Sequence, residues 1–387
     1  MKFYKDRKVV KLTRTSTVAA SLDILLKGQL AYLNQYYEVV AVSGPDSHLQ
    51  AVTEREKVRT ISIAMNRNIS LLKDFHSLIK LFLLFKRENP QIVHSITPKA
   101  GLLSMMAGKM AGVPVRMHTF TGLIFPSKSG SMQKLLIMMD KLLCACATHI
   151  YPEGNGVKDD LIKYKITSKP LKVLANGNVN GIDLDYFNPD KFSENQLGDL
   201  KNRLKIDCKD FVFIFVGRLV KDKGINELVA AFSKVEIPNI KLLLVGPLEE
   251  DLDPLLPEVL MEIHKNEKII QVGFQQDVRP YFAVAHALVF PSYREGFPNV
   301  VMQAGAMHLP SIVTDINGCN EIIVNEQNGL VIPVKDDNAI LESMNRLVKD
   351  AQLYSYMKQN SRKMIADRYE QSVVWKAVLE EYQNVLK

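Results

Sequence analysis

The 387-residue sequence predicts an α/β protein made of two Rossmann-like, doubly wound domains that face each other across a cleft. Three observations predict it. Short apolar runs rich in β-branched residues recur along the chain, as buried parallel strands require. Stretches with helical patterning fill the intervals between them. In the second half, Gly217, Gly246 and Gly273 directly follow three of the runs, where a tight turn lets backbone approach a ligand at the carboxyl edge of a sheet.

In the first half the expected strands are 9–12, 38–42, 59–63, 92–95, 115–118 and 149–151. In the second half they are 211–216, 241–245, 269–272, 287–291 and 311–314, with helices over 225–234, 254–264, 279–285, 298–307 and 337–349. The Asn-Pro-Asp cluster and polar run over 188–194 carry turn chemistry without periodicity. The expected division is therefore a first domain over 1–188 and a second over 189–370, with a last helix over about 371–387, containing Trp375, packing back on the first.

Composition sets bounds on function. Hydrophobic residues make up 47% and charged residues 24% of the chain, the balance of a folded globular protein. Cys144, Cys146, Cys208 and Cys319 are too scattered for a disulfide framework or a tetrahedral metal site. The start of the chain is basic and lacks the apolar segment of an export signal, so a cytoplasmic location is expected. The apolar stretches 78–85 and 135–147 are interrupted by charges and too short to span a bilayer. Residues 1–187 hold 26 Lys and Arg against 14 Asp and Glu, whereas the remainder holds 23 against 28. A basic first half suits an anionic membrane face or a phosphorylated lipid. No basic motif interleaved with aromatics points to nucleic acid.

The chemistry concentrates at two turns. Tyr293-Arg294-Glu295-Gly296-Phe297-Pro298-Asn299 follows the strand over 287–291, and Pro298 is expected at the first helical position. The N-H groups of that helix start form a diphosphate site, and Asn299 and Gln303, four apart, share its face. Arg218 and Lys223 follow the strand over 211–216 and are placed to clamp phosphates. Fixed cations there can neutralise a departing diphosphate, so no metal or other cofactor is required. Asp183-Leu184-Asp185 and Asp251-Leu252-Asp253 do not directly follow buried strands, and are read as a linker turn and a solvated loop. Neither a dinucleotide fingerprint nor a nucleophile elbow is present.

These residues resemble the family 4 glycosyltransferases, retaining enzymes of the GT-B fold, in the form that assembles bacterial polysaccharides. The resemblance covers nearly the whole chain and is most specific over 176–326. It implies that Arg218 and Lys223 bind the diphosphate of a nucleotide-sugar donor, UDP-linked by expectation, and that Glu295 contacts the transferred sugar. Gln303 stands where the family usually has a second glutamate for the ribose, and an amide brings hydrogen bonding without charge. Gly273 and Phe274 match the position whose backbone reads the base. His118, at the end of a first-half strand, is similar in placement to a cleft histidine near the sugar. The Thr13–Thr17 loop lacks the family's glycine pair, but its hydroxyls, Thr15's among them, are expected to face the diphosphate. Lys27-Gly28-Gln29 is expected to line the acceptor side. The implied function is retaining transfer of a hexose or N-acetylhexosamine to a glycan or lipid-diphosphate-linked acceptor, with peripheral contact at an anionic membrane. The alternatives are a sugar-nucleotide epimerase of the same architecture and a non-catalytic sugar-binding protein.

Overall fold

A computed structural model of the chain describes residues 10–66, 69–249 and 253–387. It divides into two compact units, 1–181 with 372–387, and 182–371.

The first unit holds a parallel sheet of six strands, β1 (Lys11–Thr15), β2 (Glu38–Ser43), β3 (Arg59–Ser62), β4 (Ile92–Ile96), β5 (Val115–Phe120) and β6 (His149–Pro152), in the order β3-β2-β1-β4-β5-β6. Its helices are α1 (Ala19–Leu25), α2 (Gln29–Leu33), α3 (Ser47–Glu56), α4 (Leu71–Glu88), α5 (Pro98–Ala111), α6 (Gly130–Cys146) and α7 (Asn155–Lys163). Every residue of β4 is buried, His94 and Ser95 included, so both its faces are covered. The expected strand over 9–12 begins outside the described residues, and the strand observed there runs on to Thr15.

The second unit repeats the plan. Strands β7 (Phe211–Val216), β8 (Ile240–Val245), β9 (Ile269–Gly273), β10 (Ala287–Phe290), β11 (Ser311–Thr314) and β12 (Gly329–Ile332) lie in the order β12-β11-β10-β7-β8-β9, all parallel. Around them run α8 (Glu194–Arg203), α9 (Ile225–Ser233), α10 (Pro257–Lys265), α11 (Arg279–Val284), α12 (Asn299–Ala306), α13 (Cys319–Ile322), α14 (Asp337–Lys349) and α15 (Ala351–Tyr369). Val212, Phe213, Ile214 and Phe215 of β7 are fully buried, each stabilising the unit by about 1.5–3 kcal/mol. Two six-stranded parallel sheets are the α/β class the sequence indicates.

The boundary differs from the one expected at residue 188. Residues 182–188 belong to the second unit because their backbone is tied there: Ile182 N-H donates to the Tyr369 carbonyl (2.7 Å), and Arg362 donates to the carbonyls of Leu184 (2.9 Å) and Phe187 (2.7 Å). Ser193 and Gln196 form the capping box of α8 instead of a linker. The chain returns to the first unit after Gln371, through α16 (Gln371–Val385), whose Tyr382 hydroxyl meets Arg14 and His94 at 2.6 Å each. Trp375 of the same helix donates to Asn180 Oδ1 (2.7 Å).

Candidate active site

In the second unit the chain runs from β7 outward to β9 on one side and from β10 outward to β12 on the other. The loops leaving β7 and β10 therefore diverge at the carboxyl edge of the sheet and open a crevice, the position where open α/β sheets bind ligands. After β7 come Gly217, Arg218 and a short turn over Lys221–Lys223; after β10 come Ser292 to Pro298 and then α12. The two loops meet. Lys223 Nζ forms an ion pair with Glu295 Oε1, and the two side chains are only 18% and 17% exposed.

The Glu295 loop is held from several sides. Ser292 Oγ donates to Glu295 Oε1 (2.9 Å), and Thr314 Oγ1 at the end of β11 donates to the Ser292 carbonyl. Gly224, at φ +73°, packs so closely that a Cβ would lie 2.1 Å from the Pro291 carbonyl oxygen. Gly318, at φ +75°, would bring a Cβ to 2.5 Å from the Gly296 carbonyl oxygen. Both positions combine a left-handed backbone with a close approach, which only glycine tolerates. Phe297 is buried edge-on against Tyr369 at 5.5 Å between ring centres.

The other expected donor residues are spread along the same edge. Arg218 pairs with Glu249 (2.6 Å) and stays open to solvent. Gly273, at φ +67°, closes β9, and the Phe274 ring beside it is 73% exposed. Pro298 lies one place earlier than expected, as the N-cap of α12 with extended backbone, so the helix begins at Asn299. No side chain caps that start, and the first turn carries roughly half a positive charge. Asn299 and Gln303 are half-buried on consecutive turns of α12. Asp183 Oδ1 accepts the Tyr186 N-H (2.9 Å) and so closes a turn. In the other Asp-x-Asp, residues 251 and 252 lie outside the described residues, while Asp253 Oδ2 accepts the Asp222 N-H (2.6 Å). Among the described residues no cluster of His, Cys, Asp and Glu is placed to hold a metal ion.

Three expected positions in the first unit are buried instead. Thr15 is fully buried, and its hydroxyl accepts from Ser104 Oγ of α5 (2.9 Å). Ser16 Oγ donates to the Val18 carbonyl (2.8 Å), and Thr17 Oγ1 accepts the Ala100 N-H (3.1 Å) at the start of α5. The hydroxyls of the loop after β1 thus turn inward and brace α5. His118 stands two residues short of the end of β5, 1% exposed, with Nδ1 at 2.8 Å from Ser95 Oγ and Phe120 edge-on at 4.5 Å. It packs against Gly101 of α5, and burial depresses its pKa to about 3, so it is a neutral core residue. The side chain just past β5 is Thr121, half-buried in the loop. Gln29, expected on the acceptor side, is buried and donates to the Val179 carbonyl (2.8 Å).

Sequence reasoning missed the polar centre of this unit. Arg14, 2% exposed, reaches both His94 and Tyr382, and His94 Nε2 meets Thr119 Oγ1 (2.8 Å). Burial and the neighbouring Arg14 charge hold the His94 imidazole neutral. A cavity of about 20 Å³ adjoins the cluster, with Arg14 Nε and Gln29 Oε1 buried and unpartnered beside it; it has room for one water. In the second unit Ser292, Thr314 and Gly318 went unremarked. Their signal is positional: each ends or closely follows a strand whose carboxyl edge borders the crevice.

Comparison with known proteins matches these two halves separately and the chain as a whole. The model described as "Glycosyl transferases group 1" matches residues 198–364, and "Glycosyl transferase 4-like" matches 18–153. The chain is similar to the capsular polysaccharide biosynthesis glycosyltransferase CapM of Staphylococcus aureus, 31% identical over 99% of this chain and 98% of that one. It is 32% identical to the Escherichia coli UDP-Gal:alpha-D-GlcNAc-diphosphoundecaprenol alpha-1,3-galactosyltransferase over 78% of each. Among solved structures, a glycosyltransferase from Rickettsia africae superposes with a TM-score of 0.83 at 18% identity, covering 98% of this chain and 100% of that one. Anabaena HepE in complex with UDP superposes at 0.81 and 15% identity, covering 97% and 100%. With a relative alike along almost its entire length and family models that fall one on each unit, the chain belongs to the group 1 glycosyltransferases and is a glycosyltransferase of the GT-B fold.

Proposed function

We propose that the protein transfers a sugar from a UDP-linked donor, with retention of configuration, to a glycan carried on a lipid diphosphate. The observation that carries the reading is the Lys223–Glu295 ion pair where the loops after β7 and β10 meet, beside the uncapped start of α12. Arg218, Lys223 and the helix N-H groups neutralise the departing diphosphate, and Glu295 accepts hydrogen bonds from the sugar hydroxyls. Asn299 and Gln303 reach the ribose side, and Gly273 and Phe274 the base. As the anomeric carbon–phosphate oxygen bond breaks, the acceptor oxygen attacks from the same face. Its proton passes to the leaving phosphate oxygen, so no protein nucleophile is needed. No metal enters this scheme, and activity should survive a chelator.

A relative named for UDP-Gal and likeness to a UDP-bound fold support the donor base, and relatives named for diphosphoundecaprenol acceptors support the lipid diphosphate. The first unit suits a membrane surface. Leu71, Leu72 and Phe75 at the start of α4 are 82%, 86% and 62% exposed, and Met132, Leu135, Met138 and Leu142 emerge from α6. Exposed Lys73, Lys80, Lys134 and Lys141 lie on the same helices. An apolar face bordered by lysines is the chemistry of an interfacial helix on anionic lipid. Among the described residues no helix is long and apolar enough to cross a bilayer. Calorimetry with UDP, GDP and their sugars tests the donor, and NMR of the product anomer tests the stereochemistry. Equal binding of GDP and UDP, or an inverted linkage, would overturn the reading.

A further inference from the structure

A second opening lies in the first unit, at the carboxyl edge of β4 and β5. It is a pocket of about 80 Å³ roofed by the loop after β5 and walled by the first turn of α5 and the middle of α6. Leu102, Phe120, Leu123, Leu136 and Met139 give it apolar walls, and Ile69 and Ile124, each 44% exposed, stand at its rim. Asp140 and Lys99 line it as well, and burial pushes the Asp140 carboxyl up to about 7, so that it is about half protonated at neutrality.

We propose that this pocket is a slot for the hydrocarbon of a polyprenyl diphosphate acceptor and takes up an isoprene unit next to the diphosphate. The inference rests on the lipid-diphosphate reading above and gives that acceptor a place. A sugar ring needs several convergent hydrogen-bonding groups, whereas these walls, apart from Asp140 and a Lys99 whose amine is paired with Asp74, are mostly hydrocarbon side chains, suited to a branched hydrocarbon. The engineered apolar cavity that accepts benzene measures about 150 Å³, so a closed space half that size, open at its rim, fits one short branched unit with the rest of the chain leading out. The helices that frame or flank the rim carry the exposed apolar face: α6 presents Met132 and Met138, and α4 begins two residues after Ile69. A chain leaving the slot therefore meets surface that is already apolar. The charge is complementary too, since Lys73, Lys128, Lys134 and Lys141 are exposed on and beside these helices and favour a diphosphate held near the rim.

The test is calorimetric binding to the full chain, without vesicles or detergent, of farnesyl diphosphate, isopentenyl diphosphate and inorganic diphosphate, with UDP as a separate probe. Farnesyl diphosphate and isopentenyl diphosphate should each bind at least about tenfold more tightly than inorganic diphosphate. Met139→Trp, which fills the slot, should abolish that preference. Asp140→Leu, which removes the only carboxyl in the wall, should strengthen it severalfold. Met110→Asp, exposed at the far end of α5 from the slot, should leave it unchanged. If Met139→Trp fails to fold, judged by a lost cooperative unfolding transition of the first unit, Asp140→Leu decides. No preference in the wild type, a preference untouched by both slot variants, or one abolished by Met110→Asp would overturn the slot. A wild-type protein that ignores UDP but prefers farnesyl diphosphate would overturn the donor reading and leave the slot standing.

Discussion

Replacing Glu295 with glutamine separates the two tasks assigned to the loop after β10. In the unliganded protein the carboxylate pairs with Lys223 and accepts from Ser292, and both ionic partners are more than four-fifths buried. Glutamine is nearly isosteric and keeps an acceptor for Ser292, so the loop should hold and the thermal midpoint should stay within a few degrees. What it loses is charge. A charged hydrogen bond to a sugar hydroxyl is worth about 1.5–3 kcal/mol against about 0.5–1.5 kcal/mol for a neutral one, so the replacement loses about 1–1.5 kcal/mol and should lower kcat/KM by roughly 5- to 13-fold. Freed from its carboxylate, Lys223 meets a diphosphate without competition. With an ion pair of this exposure worth about 1 kcal/mol, UDP should bind as tightly as to the wild type or up to about fivefold more tightly. The signature is thus opposite in sign for ligand and catalysis. Calorimetry with UDP and initial rates with the best donor measure the two halves. A variant that binds UDP tenfold more weakly, or that turns over at the wild-type rate, would refute the assignment of Glu295 to the sugar and Lys223 to the phosphates.

Four further outcomes are expected. Arg218→Ala removes a solvent-open guanidinium, so stability should change by less than about 0.5 kcal/mol, while UDP affinity falls about tenfold by calorimetry. Gln303→Glu restores a charged acceptor opposite the ribose and should tighten UDP severalfold but leave 2′,3′-dideoxy-UDP unaffected; equal effects on both would place Gln303 elsewhere. His118 has a folded pKa of about 3 against 6.5 when unfolded, so the unfolded chain takes up the proton first. Its contribution is a loss of stability as pH falls from about 7 towards 3, reaching about 2 kcal/mol by pH 5. In urea unfolding, His118→Gln should narrow the gap between pH 7 and pH 5 by that amount without changing kcat at pH 7. Leu71→Asp with Leu72→Asp should abolish flotation with anionic vesicles at low salt while leaving UDP binding intact.

The parts of this protein legible in its sequence are those where one residue type has one physical use. The run over 211–216 has no polar residue and nowhere to go but a buried strand, and Gly217 and Gly224 mark turns that a side chain would obstruct. The Glu295 loop is recognisable for the same reason, since a charged residue between a buried strand and a helix start has few structural uses. β12 was missed because Gly329–Ile332 is four residues long and follows a polar turn, too short for periodicity to register. His118 and Thr15 were misjudged for a different reason. Strand position tells how far a residue lies along the sheet, whereas its face depends on which helix packs there, and α5 covers both. The Arg14–His94–Tyr382 cluster was beyond reach altogether, because its members are up to 368 residues apart and nothing local marks them as partners.

That last separation bears on how the protein is made. Arg14 is a guanidinium enclosed in the first unit, and one of its hydrogen bonds comes from α16. A nascent chain that has released residues 1–181 from the ribosome therefore has a sheet but lacks the helix that closes it, and must hold an incompletely satisfied charge until nearly two hundred more residues have been added. The intervening unit, contiguous over 182–371, can complete itself first. The usual order of domain folding during synthesis is reversed in its final step, with the first-made half sealed last. The second unit is thus the one able to mature while the first still waits for its closing helix.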